Sequence, residues 1–386
     1  MAEATVRQLT REDMPEAVKL ANAIFRSDGM TPMNEAFPHS FSGDLGQSFG
    51  VYVSGELVSF MGLVPAVVRV GPAAISTFLL GQVCTRTDAR GNGYAGAVMQ
   101  AVVDYIERAG GSLMLVSGSR SLYDRFGCMP FGALANVTVG GDWARARLAV
   151  REAGLVVRSR ETRDWFELKR LADERECRFD FSMWDLAALI GAESKASCMK
   201  HVHRAAVAER VGDSGKLAAF LVYTIQGEGK ASTRVPQAIE WAGEPAAVTQ
   251  LMAHAVAAHR LDRFDIPVPV HEQPLMRELG DAAQELRPYP ATLHIVDPER
   301  LLRQAEPYLR LKYGQGPPDR LHAAKEGHAA VRIGGGSSGQ TLGMQAFVDL
   351  LFTPGASGDP AAALITGDER VMPFVPLPSP HGLLYV

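Results

Sequence analysis

Leu79-Leu-Gly-Gln-Val-Cys-Thr-Arg-Thr-Asp-Ala-Arg-Gly-Asn-Gly-Tyr-Ala-Gly96 is the stretch whose reading decides the architecture. An apolar run closes at Thr85, a short polar turn follows, and a glycine-rich knot opens into Tyr94-Ala-Gly-Ala-Val-Met-Gln-Ala-Val-Val103, which has the apolar spacing of a buried helix. The segment predicts a strand, a phosphate-sized loop and a helix N-terminus. Helix N-termini carry unsatisfied amides and partial positive charge, and glycine lets an anion approach the backbone.

Working outward, Thr5 to Leu9 reads as a first strand, and Thr10 stands three residues before Asp13 in a capping-box-like start. Met14, Val18, Ala21 and Phe25 then give one apolar helical face. Met30 to Ser48, with Pro32 and Pro38, reads as a long loop that shapes a pocket. Gly50 to Val53, the Ser54-Gly55 turn and Leu57 to Val70 read as a hairpin, followed by Ile75 to Thr85. Antiparallel strands thus precede the glycine loop, and Ser112 to Ser117 supplies a short buried strand after its helix.

A second region repeats that order of elements. Val207 to Val211, a Gly212-Asp-Ser-Gly215 turn and Leu217 to Ile225 form a hairpin; Gln237 to Trp241 is a strand, Pro245 to His259 a helix and Phe264 to Val268 a strand. At the loop position stands Ala242-Gly-Glu-Pro245, where proline lacks an amide donor and the glutamate repels phosphate. From Ala291 onward come a strand (Thr292 to Val296), a helix (Pro298 to Tyr313), a glycine-rich hairpin loop from Gly334 ahead of Leu342 to Phe352, and an extended Pro373 to Pro380 segment leading to Gly382-Leu-Leu-Tyr-Val386.

Composition excludes several classes. With 39 Lys and Arg against 43 Asp and Glu and no basic run, nucleic acid is not an expected partner. No apolar stretch reaches the ~18 residues of a membrane span and no basic-then-apolar leader opens the chain, so a cytoplasmic protein without membrane contact is expected. Cys84, Cys128, Cys177 and Cys198 are scattered without a C-x-x-C pair, so neither a metal nor a disulfide framework is expected.

Two motif readings share the loop. Gly91, Gly93 and Gly96 spell G-x-G-x-x-G, a dinucleotide fingerprint, while Arg90, Gly93 and Ala95 spell R-x-x-G-x-A, a coenzyme A pyrophosphate loop. A dinucleotide fold needs an acidic residue after the next strand to hold the ribose; here that strand ends Ser117-Gly-Ser-Arg120, which suits only a 2′-phosphate. An NADP-binding oxidoreductase therefore stands as the lesser alternative.

The region resembles the GNAT acetyltransferase superfamily through Gln82-Val-Cys-Thr85, Arg90-Gly-Asn-Gly-Tyr-Ala95 and Leu122-Tyr-Asp-Arg-Phe-Gly127. The resemblance implies that Val83 and Thr85 hold the acetyl-pantetheine arm and that Arg90, Gly91, Asn92, Gly93, Tyr94 and Ala95 cradle the pyrophosphate. It makes Tyr123 the general acid that protonates the departing thiolate. Over the whole chain the order of parts resembles the enhanced intracellular survival (Eis) family of N-acetyltransferases. That likeness implies mixed α/β sheets in a catalytic GNAT domain (1–145), a degenerate second GNAT-like domain (146–290) and a sterol-carrier-like α+β domain (291–386). It also implies a homo-oligomer, a hexamer by that likeness, and a general base in the C-terminal carboxylate, here that of Val386. An α-carboxylate titrates near 3.5 when unperturbed, so that role requires burial. Asp28 is expected to hold a cationic amine, with Phe25 and Phe37 as apolar walls. The expected activity is acetylation of primary amines by acetyl-CoA on an aminoglycoside-like or polyamine-like molecule, or on lysine, by direct attack in a ternary complex. An acyl-CoA-sensing or apolar-ligand-binding protein without turnover is the alternative.

Overall fold

The computed structural model describes residues 4–27, 29–150, 154–213, 215–229, 231–280, 282–314, 322–327, 329–334, 339–354, 360–366 and 373–386. The chain divides into two compact units: Met1–Gly132 with Tyr289–Pro380 and Val386, and Ala133–Pro288 with His381–Tyr385.

In the first unit the elements that build the site are β1 (Ala4–Gln8), α1 (Met14–Phe25), α2 (Met33–Ala36), β2 (Phe49–Val53), β3 (Glu56–Val70), β4 (Ala73–Thr85), α3 (Tyr94–Arg108), β5 (Leu113–Val116), α4 (Ser121–Arg125) and β6 (Met129–Pro130). The sheet runs β1, β2, β3, β4, β5, then the strand Thr292–Ile295, then β6. Neighbours are antiparallel except β4 and β5, which run parallel. A parallel pair needs a crossover, and α3 supplies it. Its inner stripe of Val98, Met99, Val102 and Ile106 is wholly buried on Val51, Met61, Leu63, Phe78 and Leu80. The start of α1 is fixed as its sequence suggests: the Thr10 amide donates to Asp13 Oδ2 at 2.7 Å, and Arg7 grips the same carboxylate through both of its terminal nitrogens.

The strand Thr292–Ile295 is inserted between β5 and β6, pairing Thr292 with both Val116 and Pro130. The helix Pro298–Tyr313 follows, and its Gln304 fastens it to the sheet: Oε1 accepts from the Ser76 amide at 3.0 Å and from Ser112 Oγ at 2.6 Å, while Nε2 donates to Ser76 Oγ at 3.0 Å. Beyond it lie a meander of Ala323–Glu326, Ala330–Ile333 and Gln340–Gly343 and the helices Met344–Phe352 and Pro360–Thr366. The apolar stretch Leu342 to Phe352 is thus mostly helix, because Met344, Phe347, Val348 and Leu351 share one buried face at helical spacing.

The second unit holds a sheet ordered Ala238–Gly243, Leu217–Gln226, His201–Arg210, Leu155–Ser159 and a three-stranded sheet in which Leu134–Val139 is central between Phe264–Pro269 and Ala283–Arg287. The helix Pro245–Ala258 is buried along Ala247, Val248, Leu251, Met252, Ala255 and Val256. The order hairpin, strand, helix, strand recurs here, but the turn into the helix is chemically different. Pro245 occupies the first helical position, and the Glu244 amide is spent on Ala218 O at 2.9 Å. The tail is held in this unit as well: Lys195 Nζ lies 4.5 Å above the Tyr385 ring and 3.1 Å from His381 Nδ1. Among the described residues no helix is long and apolar enough to cross a membrane.

Candidate active site

The first unit's sheet opens at one point. The β4–β5 pairing runs from Thr77 opposite Leu113 to Leu80 opposite Val116 and stops, whereas β4 continues to Thr85 along β3. Among the described residues, the backbone edge of Gly81 to Thr85 that faces away from β3 therefore has no strand beside it. A β-bulge lies in the same place: Phe60 pairs with Cys84 and Gly62 with Gly81, so Gln82 and Val83 together oppose Met61. Gln82 takes the left-handed conformation, φ +47°, which is costly for a side chain of this kind.

Val83 and Thr85, expected along the pantetheine arm, stand on this unpaired edge and are half-buried. The Thr85 hydroxyl is occupied by Ser59 Oγ at 2.9 Å and its carbonyl by Arg90 Nε, which leaves its backbone amide as the group available to a ligand.

The loop and the start of α3 form a second feature. Gly91 (φ +83°) and Gly93 (φ +78°) are left-handed, and a Cβ at either would meet nothing within 4 Å. These glycines are thus required by the turn rather than by crowding. Arg90 is drawn back onto β4, Nε donating to Thr85 O at 3.3 Å, and Asn92 closes the loop by donating to Ala89 O at 3.0 Å. The first intrahelical bond is Ala97 N to Gly93 O at 3.1 Å. Among the described residues the amides of Gly91, Asn92, Gly93, Tyr94, Ala95 and Gly96 donate to nothing. Successive free amides at the positive end of a long helix fit a diphosphate. The corresponding amides of the second unit do not, for the reasons given above.

Tyr123 lies in α4, 6% exposed, packed in the same apolar cluster as α3. Burial raises its phenol above the ordinary value, opposed by the Arg120 guanidinium and reinforced by Cys128. Its hydroxyl makes no hydrogen bond among the described residues. It is a neutral donor at physiological pH with its proton uncommitted.

Val386 is 8% exposed and belongs to this unit. An ideal Cβ on Gly81 would stand 2.5 Å from its carboxyl carbon and 2.9 Å from its Cβ. The terminal carboxylate is therefore seated on the bulge of β4, and no described residue pairs with it. Phe37 is buried under the Arg26 guanidinium, 5.5 Å from the ring centroid, while Phe25 is half-buried at the end of α1. Asp28 lies outside the described residues.

Sequence reasoning passed over Gly62, Gly81, Gln82 and Ser40. The signal available was glycine twice inside long apolar strands, where it marks a bulge or a close approach.

Residues 5–131 match the family model described as acetyltransferase (GNAT) domain. No curated protein matches the chain. Among solved structures, a protein from Enterococcus faecalis V583 described as a "Probable N-Acyltransferase" superposes with a TM-score of 0.62 at 15% identity, covering 88% of this chain and 85% of that one. A GCN5-related N-acetyltransferase from Anabaena variabilis ATCC 29413 gives 0.60 at 12% identity, covering 90% and 89%. Eis1 from Mycobacterium abscessus gives 0.61 at 14% identity, covering 94% and 97%. At these identities the structures establish a shared mixed α/β fold over most of the chain.

Proposed function

We propose, from the premise that residues 5–131 are an acetyltransferase domain of the GNAT kind, that this protein is an N-acetyltransferase that uses acetyl-CoA to acetylate primary amines. The acceptors would be small polycationic molecules of aminoglycoside-like or polyamine-like chemistry, or lysine side chains. The observation that carries this reading is the seating of the Val386 carboxylate on Gly81, at the strand edge left open by β5.

When bound, the donor supplies an activated acetyl thioester. The amides of Gly91 to Gly96 and the Arg90 side chain hold its diphosphate, and the open backbone of Val83 and Thr85 holds its arm. The Val386 carboxylate accepts a proton from the acceptor ammonium, because only the neutral amine has a lone pair for attack. The new bond joins that nitrogen to the acetyl carbonyl carbon, the carbon–sulfur bond breaks, the nitrogen releases its second proton to solvent, and the Tyr123 hydroxyl donates to the sulfur. A phenol raised above 10 is a weaker acid than a free thiol at about 8.5. Tyr123 therefore supports the charge on sulfur late, as the bond opens, and is reprotonated from solvent. Pairing one proton acceptor with one proton donor lets a single encounter of amine and thioester suffice, without an acylated side chain.

The test is thiol release from acetyl-CoA with spermidine, kanamycin and Nα-acetyl-lysine amide as acceptors. Turnover with at least one amine is expected. Tight coenzyme A binding with no thiol release for any amine would replace this reading with that of an acyl-CoA sensor.

A further inference from the structure

Gly62 and Gly81 are direct partners across β3 and β4, so their missing side chains share one face of the sheet, with Cβ positions about 4.5–5.5 Å apart. Each gap is filled. The Val386 carboxyl carbon lies over Gly81, and Gln82 Oε1 lies over Gly62, 2.5 Å from where its Cβ would be. Ordinary alternation would put Gln82 on the face opposite its neighbour Gly81. Its left-handed backbone in the bulge returns the side chain to the face of Gly62 and Gly81 instead.

Ser40 Cβ approaches the same Gly62 position at 3.2 Å. Ser40 is held there because Ser48 Oγ donates to its carbonyl at 3.2 Å and accepts from the Leu63 amide at 3.3 Å. Ser40 is fully buried and Gln82 is 7% exposed, yet Ser40 Oγ and Gln82 Oε1 have no hydrogen-bond partner among the described residues. The terminal carboxylate beside them has none either. Three acceptor groups thus gather around the paired glycines Gly62 and Gly81, and orphaned buried acceptors are costly. An alkyl ammonium carries three N–H donors on one nitrogen.

We propose that Gln82 and Ser40 form the binding subsite for the acceptor's primary ammonium, Gln82 Oε1 and Ser40 Oγ taking two of its N–H groups while the Val386 carboxylate takes the third. The proposal rests on the amine-acetylation reading and assigns its specificity. Each N–H replaced by N–CH3 leaves one of these oxygens unpaired, so the subsite selects primary over N-methylated amines.

Gln82→Gly tests this without threatening the fold, since glycine relieves the backbone strain at φ +47°. With spermidine as acceptor, its KM for the amine should rise roughly 10- to 100-fold, the effect of losing a hydrogen bond to a charged group. The KM for acetyl-CoA and the unfolding midpoint should hold. Preference for n-butylamine over N-methylbutylamine should shrink in Gln82→Gly and Ser40→Ala. Gln82→Glu, which keeps an oxygen at the site, should retain amine binding. An unchanged amine KM in Gln82→Gly, or amine binding abolished by Gln82→Glu, overturns the proposal. Should the wild-type chain release no thiol with any amine, the parent reading fails, and calorimetric titration with spermidine decides the subsite separately. Weaker binding to Gln82→Gly than to wild type supports it, and equal or absent binding overturns it.

Discussion

The carboxyl carbon of Val386 and the Cα of Gly81 are packed so closely that the smallest side chain cannot come between them: a Cβ on Gly81 would sit 2.5 Å from that carbon. A methyl group there must push the last residue away while leaving the β3–β4 ladder intact. Gly81→Ala is therefore expected to lower kcat roughly 10²- to 10⁴-fold, the usual contribution of a positioned proton acceptor, with the KM for acetyl-CoA within a few-fold of wild type. Removal of Val386 in the Gly81→Ala background should add little, because both changes disable one group. Wild-type turnover in Gly81→Ala would remove the terminal carboxylate from the chemistry.

Tyr123→Phe removes one oxygen from a buried ring and leaves its packing in the α3 cluster unchanged. Turnover should fall by about 10²-fold or more, while calorimetry finds coenzyme A affinity unchanged. Because burial raises the phenol, it stays protonated through neutral and mildly alkaline pH. The wild-type rate should show no alkaline decline assignable to Tyr123 below about pH 10; a decline near pH 8 that disappears in Tyr123→Phe would contradict the assignment.

Gly93→Ala forces a side chain onto φ +78° at the N-cap of α3. The cost is about 1–2 kcal/mol, met locally by rotating the loop amides out of register. We expect the KM for acetyl-CoA to rise several-fold with kcat nearly unchanged, a split that isothermal titration with coenzyme A would reproduce as weaker binding. An equal fall in kcat would instead place Gly93 in the transition state.

His203, in the second unit, is 7% exposed, and burial lowers its imidazole to about 4. Nδ1 donates to Ile190 O at 3.1 Å, and Nε2 has no acceptor among the described residues, so a second proton would add an unpaired buried charge. A depressed histidine binds protons more readily when unfolded. Its stabilisation is therefore complete above the unfolded value of about 6.5 and is lost as pH falls toward 4. The loss is about 3 kcal/mol over that window. Denaturant midpoints measured between pH 7 and pH 4 should fall steeply in the wild type and less in His203→Gln.

What the sequence disclosed and what it withheld follow from the range of each interaction. The strand, glycine loop and helix of residues 79–96 depend on neighbours a few positions apart, and β4, its turn and α3 fall where the apolar pattern puts them. Helices Met14–Phe25 and Pro298–Tyr313 match their sequence bounds because caps and apolar stripes are equally local. The bulge was not legible. Gln82 sits in an apolar run that reads as continuous strand, and only its pairing across Met61 reveals the extra residue. Nor does any pattern in Thr292–Ile295 announce that it will lie between β5 and β6, since a buried strand carries no mark of its partner. Gly81 looks like an ordinary weak point in a strand until residue 386 is seen against it.

The insertion of Thr292–Ile295 sets the order in which this molecule can be finished. β5, the run Leu113-Met-Leu-Val116, needs that strand beside it, and at ~5–20 residues per second a ribosome takes roughly ten to forty seconds to make the intervening chain. Throughout that interval an apolar strand edge lies uncovered on the nascent protein, which is the kind of surface that aggregates or recruits chaperones. The seat on Gly81 is filled later still, by residue 386.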